Sequence, residues 1–170
     1  MDADALRAVQ APLKQQYRDE PGAAVLTLTA AGDIDDAGIA CKVETGRALV
    51  TAGLHPATGG SGLEACSGDM LLEALVACAG VTLKAVATAI GIEIASAHVR
   101  AEGDLDFRGT LGVDREAPVG FSDIRLSFDV VSDAGQEQRD QLLKLTERYC
   151  VVLQTLRSAP AVRAGITPAP

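Results

Sequence analysis

Cysteines and histidines are the side chains of this 170-residue chain with the most versatile chemistry. The cysteines are Cys41, Cys66, Cys78 and Cys150, and no two of them form a Cys-x-x-Cys pair. A thiolate is a nucleophile and a metal ligand, and a sulfenic acid formed from it is rescued when a second thiol condenses with it. Each cysteine is also a small apolar side chain suited to packing. The residue types alone leave redox chemistry, zinc binding and packing open.

Cys78 lies in the middle of the most apolar segment of the chain, for which the sequence predicts one long helix over Asp69 to Ile90. Ser67 and Asp69 are candidate caps at its start, and Gly91 ends it. A helical wheel predicts a single solvent-facing stripe, formed by Glu73, Ala77, Gly80 and Lys84. The wheel turns Cys78 inward, on the side that also carries Leu71, Leu75, Thr82, Ala85 and Ala89.

The overall composition excludes several classes of partner. The net charge is −8, which argues against a nucleic-acid backbone, and aromatic residues make up only 3% of the chain, too few for base-stacking platforms. The acidic N-terminus does not resemble a secretory leader, and charges interrupt the central helix before it reaches the length of a membrane span. We therefore expect a cytoplasmic protein without a nucleic-acid or membrane partner, whose cysteines do not form a structural disulfide framework.

Hydrophobic periodicity and turn residues predict the remaining elements. A helix is expected over 3–19, with Pro12 as a kink or break, and a short helix after Cys150. The other expected elements are strands at 23–31, 39–45, 48–53, 92–106, 120–132 and 162–166, and a helix at 136–149. Strands in runs, followed by helices, indicate an α+β fold with mainly antiparallel pairing. We expect an N-terminal helical extension over 1–22 and a single domain over 23–170.

The glycine-rich loop at 54–68 leads into the central helix and carries His55, Glu64 and Cys66. It lacks the Gly-Lys-Ser/Thr ending of a phosphate-binding loop, so a nucleotide site is disfavoured. A zinc site built from His55, Cys66, Cys78 and Cys150 is conceivable but lacks the usual ligand spacing. Cys66 is 12 residues before Cys78, about three helical turns, so the two cannot touch on one straight helix. Cys66 is an alternative resolving thiol for Cys78 only if the loop folds back. A packed loop cysteine is the simpler interpretation of Cys66.

A single sheet face cannot cover a helix as apolar as the central one. A second copy of the chain would complete the core, and on that ground we expect a homodimer.

Two segments resemble the motifs of the OsmC/Ohr family. The run Gly-Asp-Met-Leu-Leu-Glu-Ala-Leu-Val-Ala-Cys78-Ala-Gly-Val-Thr is similar to the family's Ala-rich central helix with its mid-helix cysteine. The run Tyr-Cys150-Val-Val-Leu-Gln-Thr-Leu is similar to its second cysteine motif. The resemblance covers roughly residues 23–166. It implies antiparallel sheets wrapped around central helices in an intertwined homodimer.

The resemblance also implies a peroxidase that reduces organic hydroperoxides. Cys78 matches the peroxidatic cysteine, which becomes a sulfenic acid, and Cys150 matches the resolving cysteine, which forms a disulfide with it. No bound cofactor is implied. A dithiol, often carried on lipoyl groups, is the reducing co-substrate in the family.

Activation of Cys78 calls for a nearby cation, because burial raises the pKa of a thiol and the N-terminus of its own helix is too distant to help. The family supplies an arginine, for which Arg47 is the candidate by its region of the chain, and an acidic residue. The family's usual glutamate aligns with Gly68 here, so Asp69 or Glu64 is the candidate substitute. Val151 follows Cys150 where proline is common in the family.

Two other functions are compatible with the same residues. One is a catalytically silent dimer of this fold that binds a small apolar ligand near Cys78. The other is a thiol hydrolase, which is disfavoured because no motif ties either histidine to a cysteine. The peroxidase predicts one fast-reacting thiol and a Cys78–Cys150 disulfide after peroxide treatment, whereas the silent dimer predicts a retained ligand and no such bond.

Overall fold

The structure is a computed structural model that describes residues 3–34, 41–43, 52–63 and 65–166. The elements follow in the order α1 (Ala3–Asp19), β1 (Val25–Ile34), β2 (Cys41–Val43), β3 (Ala52–Gly53), β4 (Ala65–Cys66), α2 (Ser67–Ile90), β5 (Ser96–Asp106), α3 (Phe107–Thr110), β6 (Phe121–Val131), α4 (Gln136–Tyr149) and α5 (Val151–Arg157). Short 3-10 turns occupy Pro21–Ala24 and Pro56–Thr58. The α+β class expected from the sequence is confirmed.

The main sheet has four antiparallel strands in the order β2-β1-β5-β6. Its central strand β5 buries every second side chain against the core, at Ala97, Val99, Ala101 and Leu105. This strand starts at Ser96 and not at residue 92, because the loop before it already buries Ile92 and Ile94. The sequence prediction also missed β4, which lies in the glycine-rich loop and pairs in parallel with β3, and α3, which lies between the strands expected at 92–106 and 120–132.

Helix α2 lies across this sheet, but with a different face inward from the one the wheel predicted. The buried residues are Leu72, Leu75, Val76, Ala79, Gly80, Leu83, Val86 and Ala87. Gly80, expected in the solvent-facing stripe, is buried, whereas Leu71, expected inward, is 38% exposed. The wheel failed because three charged residues are too few to locate the wet face of a helix that is apolar nearly all round.

The two ends of α2 differ in how well the sequence described them. Gly91 terminates the helix as predicted, with φ +73°, and its N–H donates to the carbonyls of Ala87 and Thr88. At the other end the capping residue is Cys66, which provides no side-chain hydrogen bond, and Ser67 is already helical. The prediction of Ser67 and Asp69 as caps is therefore wrong.

Helix α2 also has a length and hydropathy that would suit a membrane span. The sequence analysis had excluded a membrane span because charged residues interrupt the helix, so it did not predict that α2 would have these properties. Core helices of globular proteins share these properties, and here eight residues of α2 are buried inside the fold.

Helix α1 packs on the segment that leads into α2. It runs through Pro12 as one helix, and Tyr17, only 3% exposed, donates its hydroxyl to the carbonyl oxygen of Ala57 at 2.8 Å. The Gln10 amide donates to Thr58 O at 3.3 Å. At the other terminus, residues 161–166 form neither a strand nor a helix, and Val162 and Ile166 are exposed, so the edge strand predicted at 162–166 is wrong.

Candidate active site

Cys78 and Cys150 meet inside the core, as the resemblance implied. The thiol of Cys150 donates a hydrogen bond to the sulfur of Cys78. Cys78 is half-buried in the middle of α2, and Cys150 is fully buried in the same hydrophobic cluster. Two cysteines far apart in sequence therefore place their sulfur atoms within hydrogen-bonding reach.

The position of Cys150 follows from the break between two helices. Cys150 is both the last capping residue of α4 and the first of α5, with φ −70° and ψ 106°, outside the helical region. Its N–H donates to Thr146 O at 2.9 Å, and its carbonyl oxygen accepts from the N–H of Gln154 at 2.9 Å. Helix α4 thus ends and α5 begins at Cys150. The main-chain bonds on both sides hold Cys150 so that its side chain faces α2.

The start of α5 supplies further donors to Cys78. The first N–H groups of a helix have no partner within the helix. Two of them, from Val151 and Val152, donate to the sulfur of Cys78. The hydroxyl of Thr82, one turn further along α2, also lies within hydrogen-bonding reach of this sulfur.

These contacts separate the acidities of the two thiols. Burial raises the pKa of Cys78, but the N–H of Val152, the thiol of Cys150, the N–H of Val151 and the Thr82 hydroxyl outweigh it, so that pKa lies below the ordinary thiol value. Burial raises the pKa of Cys150 to about 11, and the hydrogen bond to Cys78 and the charge there add to this. Of the two thiols, Cys78 is therefore the one that ionises more easily, and Cys150 holds its proton to higher pH.

Asp69 is the one described residue among the acidic and basic candidates suggested from the sequence, and it is not brought to this pair. Asp69 lies nine residues before Cys78 on α2, about 13 Å along the helix axis. Burial raises the pKa of Asp69, while the charge of His55 lowers it, so its electrostatic partner is His55 and not Cys78. Arg47 and Glu64 lie outside the described residues and stay predictions. The sequence argument called for a cation, whereas the donors named above are neutral.

His55 and Cys66 line a separate cavity of about 380 Å³ at the start of α2. The ring of His55 stacks on Phe107, with centroids 4.9 Å apart, and its Nδ1 accepts the N–H of Ala57. Cys66 is about three turns from Cys78, as the spacing predicted. Within residues 3–34, 41–43, 52–63 and 65–166, no three metal-binding side chains cluster.

Sequence reasoning missed the three donors to Cys78, namely the two amides of α5 and the Thr82 hydroxyl. A signal for them existed. A short helix was predicted directly after Cys150, which places unpaired N–H groups beside that cysteine, and Thr82 is four residues after Cys78, on the same side of the helix.

Comparison with known proteins agrees with the fold and with the family resemblance seen in the sequence. The model of the family described as OsmC-like protein matches residues 60–164. An OsmC-like hydroperoxide resistance protein from Jannaschia sp. CCS1 has a similar structure, with a TM-score of 0.61 at 15% identity over 85% of this chain and 95% of that one. An OsmC-like protein from Mycoplasma pneumoniae has a TM-score of 0.55 at 15% identity, over 79% of this chain and 86% of that one. No curated protein sequence matches significantly.

Proposed function

Because this chain belongs to the OsmC-like protein family, we propose that it is a thiol-dependent peroxidase that reduces organic hydroperoxides. One observation carries the proposal: the half-buried Cys78 sulfur accepts hydrogen bonds from the Cys150 thiol and from the first amides of α5. A lowered thiol pKa beside a second, protonated thiol is the arrangement that two-cysteine peroxide reduction needs.

In the first step, the Cys78 thiolate attacks the terminal oxygen of the hydroperoxide. The O–O bond breaks, the sulfur is oxidised to a sulfenic acid, and the hydroperoxide is reduced to an alcohol. The alcohol oxygen takes up the proton that the Cys78 thiol released on ionisation. The amides of Val151 and Val152 hold the thiolate in place for this attack.

In the second step, Cys150 attacks the sulfur of the sulfenic acid, so that a disulfide forms and water leaves. The Cys150 thiol already contacts Cys78, so little movement is required. Because the pKa of Cys150 is about 11, the oxygen leaving Cys78 has to receive the Cys150 proton as the bond forms. A dithiol co-substrate then reduces the disulfide, forming its own disulfide and restoring both thiols.

The surroundings of the pair favour an organic substrate. Cys78 packs against a cluster of buried apolar residues that includes Leu75, Ala79 and Leu153. Transfer of an alkyl group into such surroundings is favourable, at about 25 cal/mol per Å² of apolar surface buried. Hydrogen peroxide has no such group, so we expect alkyl and aryl hydroperoxides to react faster.

We propose that the active protein is a homodimer. Helix α2 leaves Met70 and Leu71 each 38% exposed, and Leu54 beside them is 45% exposed. A second copy of the chain would cover this side of the helix, and the other face already packs on the sheet.

Steady-state consumption of cumene hydroperoxide with dihydrolipoamide as reductant tests the proposal. We expect Cys78→Ser to abolish turnover and Cys66→Ser, the matched control in the separate cavity, to retain it. Cys150→Ser should stop after one turnover, with a sulfenic acid at Cys78 that dimedone traps. Turnover unchanged in Cys78→Ser would reject Cys78 as the peroxidatic residue, whereas no turnover in the unaltered chain would favour a fold that only binds a ligand.

A further inference from the structure

The hydroxyl of Thr82 has no role in the scheme above. Its Oγ1 donates to the main-chain carbonyl oxygen of Cys78 at 2.7 Å. Side chains on a helix lean toward its N-terminus, so residue i+4 covers residue i. This places the same hydroxyl within hydrogen-bonding reach of the Cys78 sulfur. A hydroxyl has one proton and can donate to only one of these two acceptors at a time.

We propose that Thr82 is a positioning residue, whose hydroxyl transfers its hydrogen bond from the carbonyl oxygen of Cys78 to the Cys78 sulfur when that thiol ionises. The inference rests on the proposed function in one respect, that Cys78 works as a thiolate. It concerns only the ionisation step that precedes any reaction with a hydroperoxide.

The relative strengths of the two acceptors support the transfer. A neutral thiol sulfur is a weak acceptor, so the carbonyl oxygen holds the hydroxyl while Cys78 is protonated. A thiolate is charged, and hydrogen bonds to charged acceptors are about twice as strong as neutral ones. The Cys78 carbonyl loses little, because in a regular helix it also accepts the N–H of residue 82.

Thr88 provides the comparison that separates this role from ordinary helix structure. Its Oγ1 makes the same bond, to Lys84 O at 2.8 Å, on the same helix but with no cysteine four residues before it. If the bond from a threonine to the preceding turn were all that mattered, the two threonines would behave alike.

The test is the rate at which iodoacetamide alkylates Cys78, followed from pH 5 to 10 by the mass of the peptide that contains it. Thr82→Val keeps the shape of the side chain and removes the hydroxyl. We expect this variant to shift the alkylation midpoint to higher pH and to slow alkylation at pH 7 by about three- to tenfold. Thr82→Ser should restore the wild-type profile, and Thr88→Val should leave it unchanged.

A Thr82→Val profile that superimposes on that of Thr88→Val would overturn the inference. Thr82→Ala, which also lacks the hydroxyl, decides the matter if the valine variant does not fold. Alkylation needs no hydroperoxide. A protein that ionised Cys78 through Thr82 but consumed no hydroperoxide would refute the proposed function alone, so the two proposals fail separately.

Discussion

The main-chain N–H of Val151, the first residue of α5, donates a hydrogen bond to the sulfur of Cys78 in the middle of α2. The side chain of Val151 is 71% exposed, so only its amide takes part in the site. Proline at this position would have no N–H to donate. The residue type at position 151 therefore controls one donor to the thiolate without contributing a side chain.

Val151→Pro should raise the pKa of Cys78 and slow its alkylation at neutral pH by roughly tenfold, since a hydrogen bond to a charged group contributes about 1.5 kcal/mol or more. Proline is well tolerated at the first position of a helix, and the extended ψ of Cys150 suits a residue that precedes proline. The pH profile of Cys78 alkylation is the measurement. Val151→Ala keeps the N–H and is the control, and identical profiles for the two variants would show that this donor does not matter.

The two thiols should ionise in separate pH ranges. The pKa of Cys78 is lowered by its donors and that of Cys150 is raised to about 11 by burial. At pH 7 to 8 we expect iodoacetamide to modify Cys78 and to leave Cys150 unmodified in the native protein, as read from the two peptide masses. In Cys78→Ser the negative charge beside Cys150 is gone, so Cys150 should react at lower pH than in the native protein. Faster modification of Cys150 than of Cys78 in the unaltered chain would reverse the assignment of roles.

The inward face of α2 can be tested with two adjacent leucines. Leu72 is fully buried and Leu71 is 38% exposed. Leu72→Ala should lower the free energy of unfolding by about 2–5 kcal/mol, because it leaves a cavity in the core. Leu71→Ala should cost less than about 1 kcal/mol at protein concentrations at which the chain is monomeric, because only the proposed second copy would cover this side chain. Urea unfolding of both variants makes the comparison, and equal losses would mean that the Leu71 face is covered as well.

The buried hydroxyl of Tyr17 is one of the groups that hold α1 to the rest of the fold, and its contribution can be measured. Tyr17→Phe removes the bond to Ala57 O and should lower the free energy of unfolding by about 1–2 kcal/mol. Tyr149→Phe makes the same chemical change at a side chain that is 57% exposed. It should have almost no effect. Equal thermal midpoints for the two variants would argue that α1 is not held through Tyr17.

Local sequence signals predicted the elements better than they predicted how the elements face one another. Helix α4 occupies 136–149 as predicted, because its polar and apolar residues alternate with a helical period. Helix α2 was found for its length and apolar composition, but those same properties hid its inward face. The parallel pairing of β3 with β4 joins two residues of each strand, too few for any periodic pattern to indicate.

The meeting of Cys78 with Cys150 could not be deduced from spacing, and the sequence indicated it only through resemblance to a family. The donors around Cys78 were missed for a different reason. Two of them are main-chain N–H groups, which every residue except proline carries, so residue type says nothing about where they point. Their direction depends on the break between α4 and α5 at Cys150, which is a property of the folded chain.

Disulfide mapping after brief oxidation tests the central claim most directly. The reduced protein is treated with one equivalent of cumene hydroperoxide, free thiols are blocked, and peptides are identified by mass without reduction. The account predicts one dominant linked pair, Cys78 with Cys150, which is absent from Cys78→Ser and from Cys150→Ser and present in Cys66→Ser. A Cys78 that stays a free thiol, or that pairs with Cys66 in place of Cys150, would contradict it.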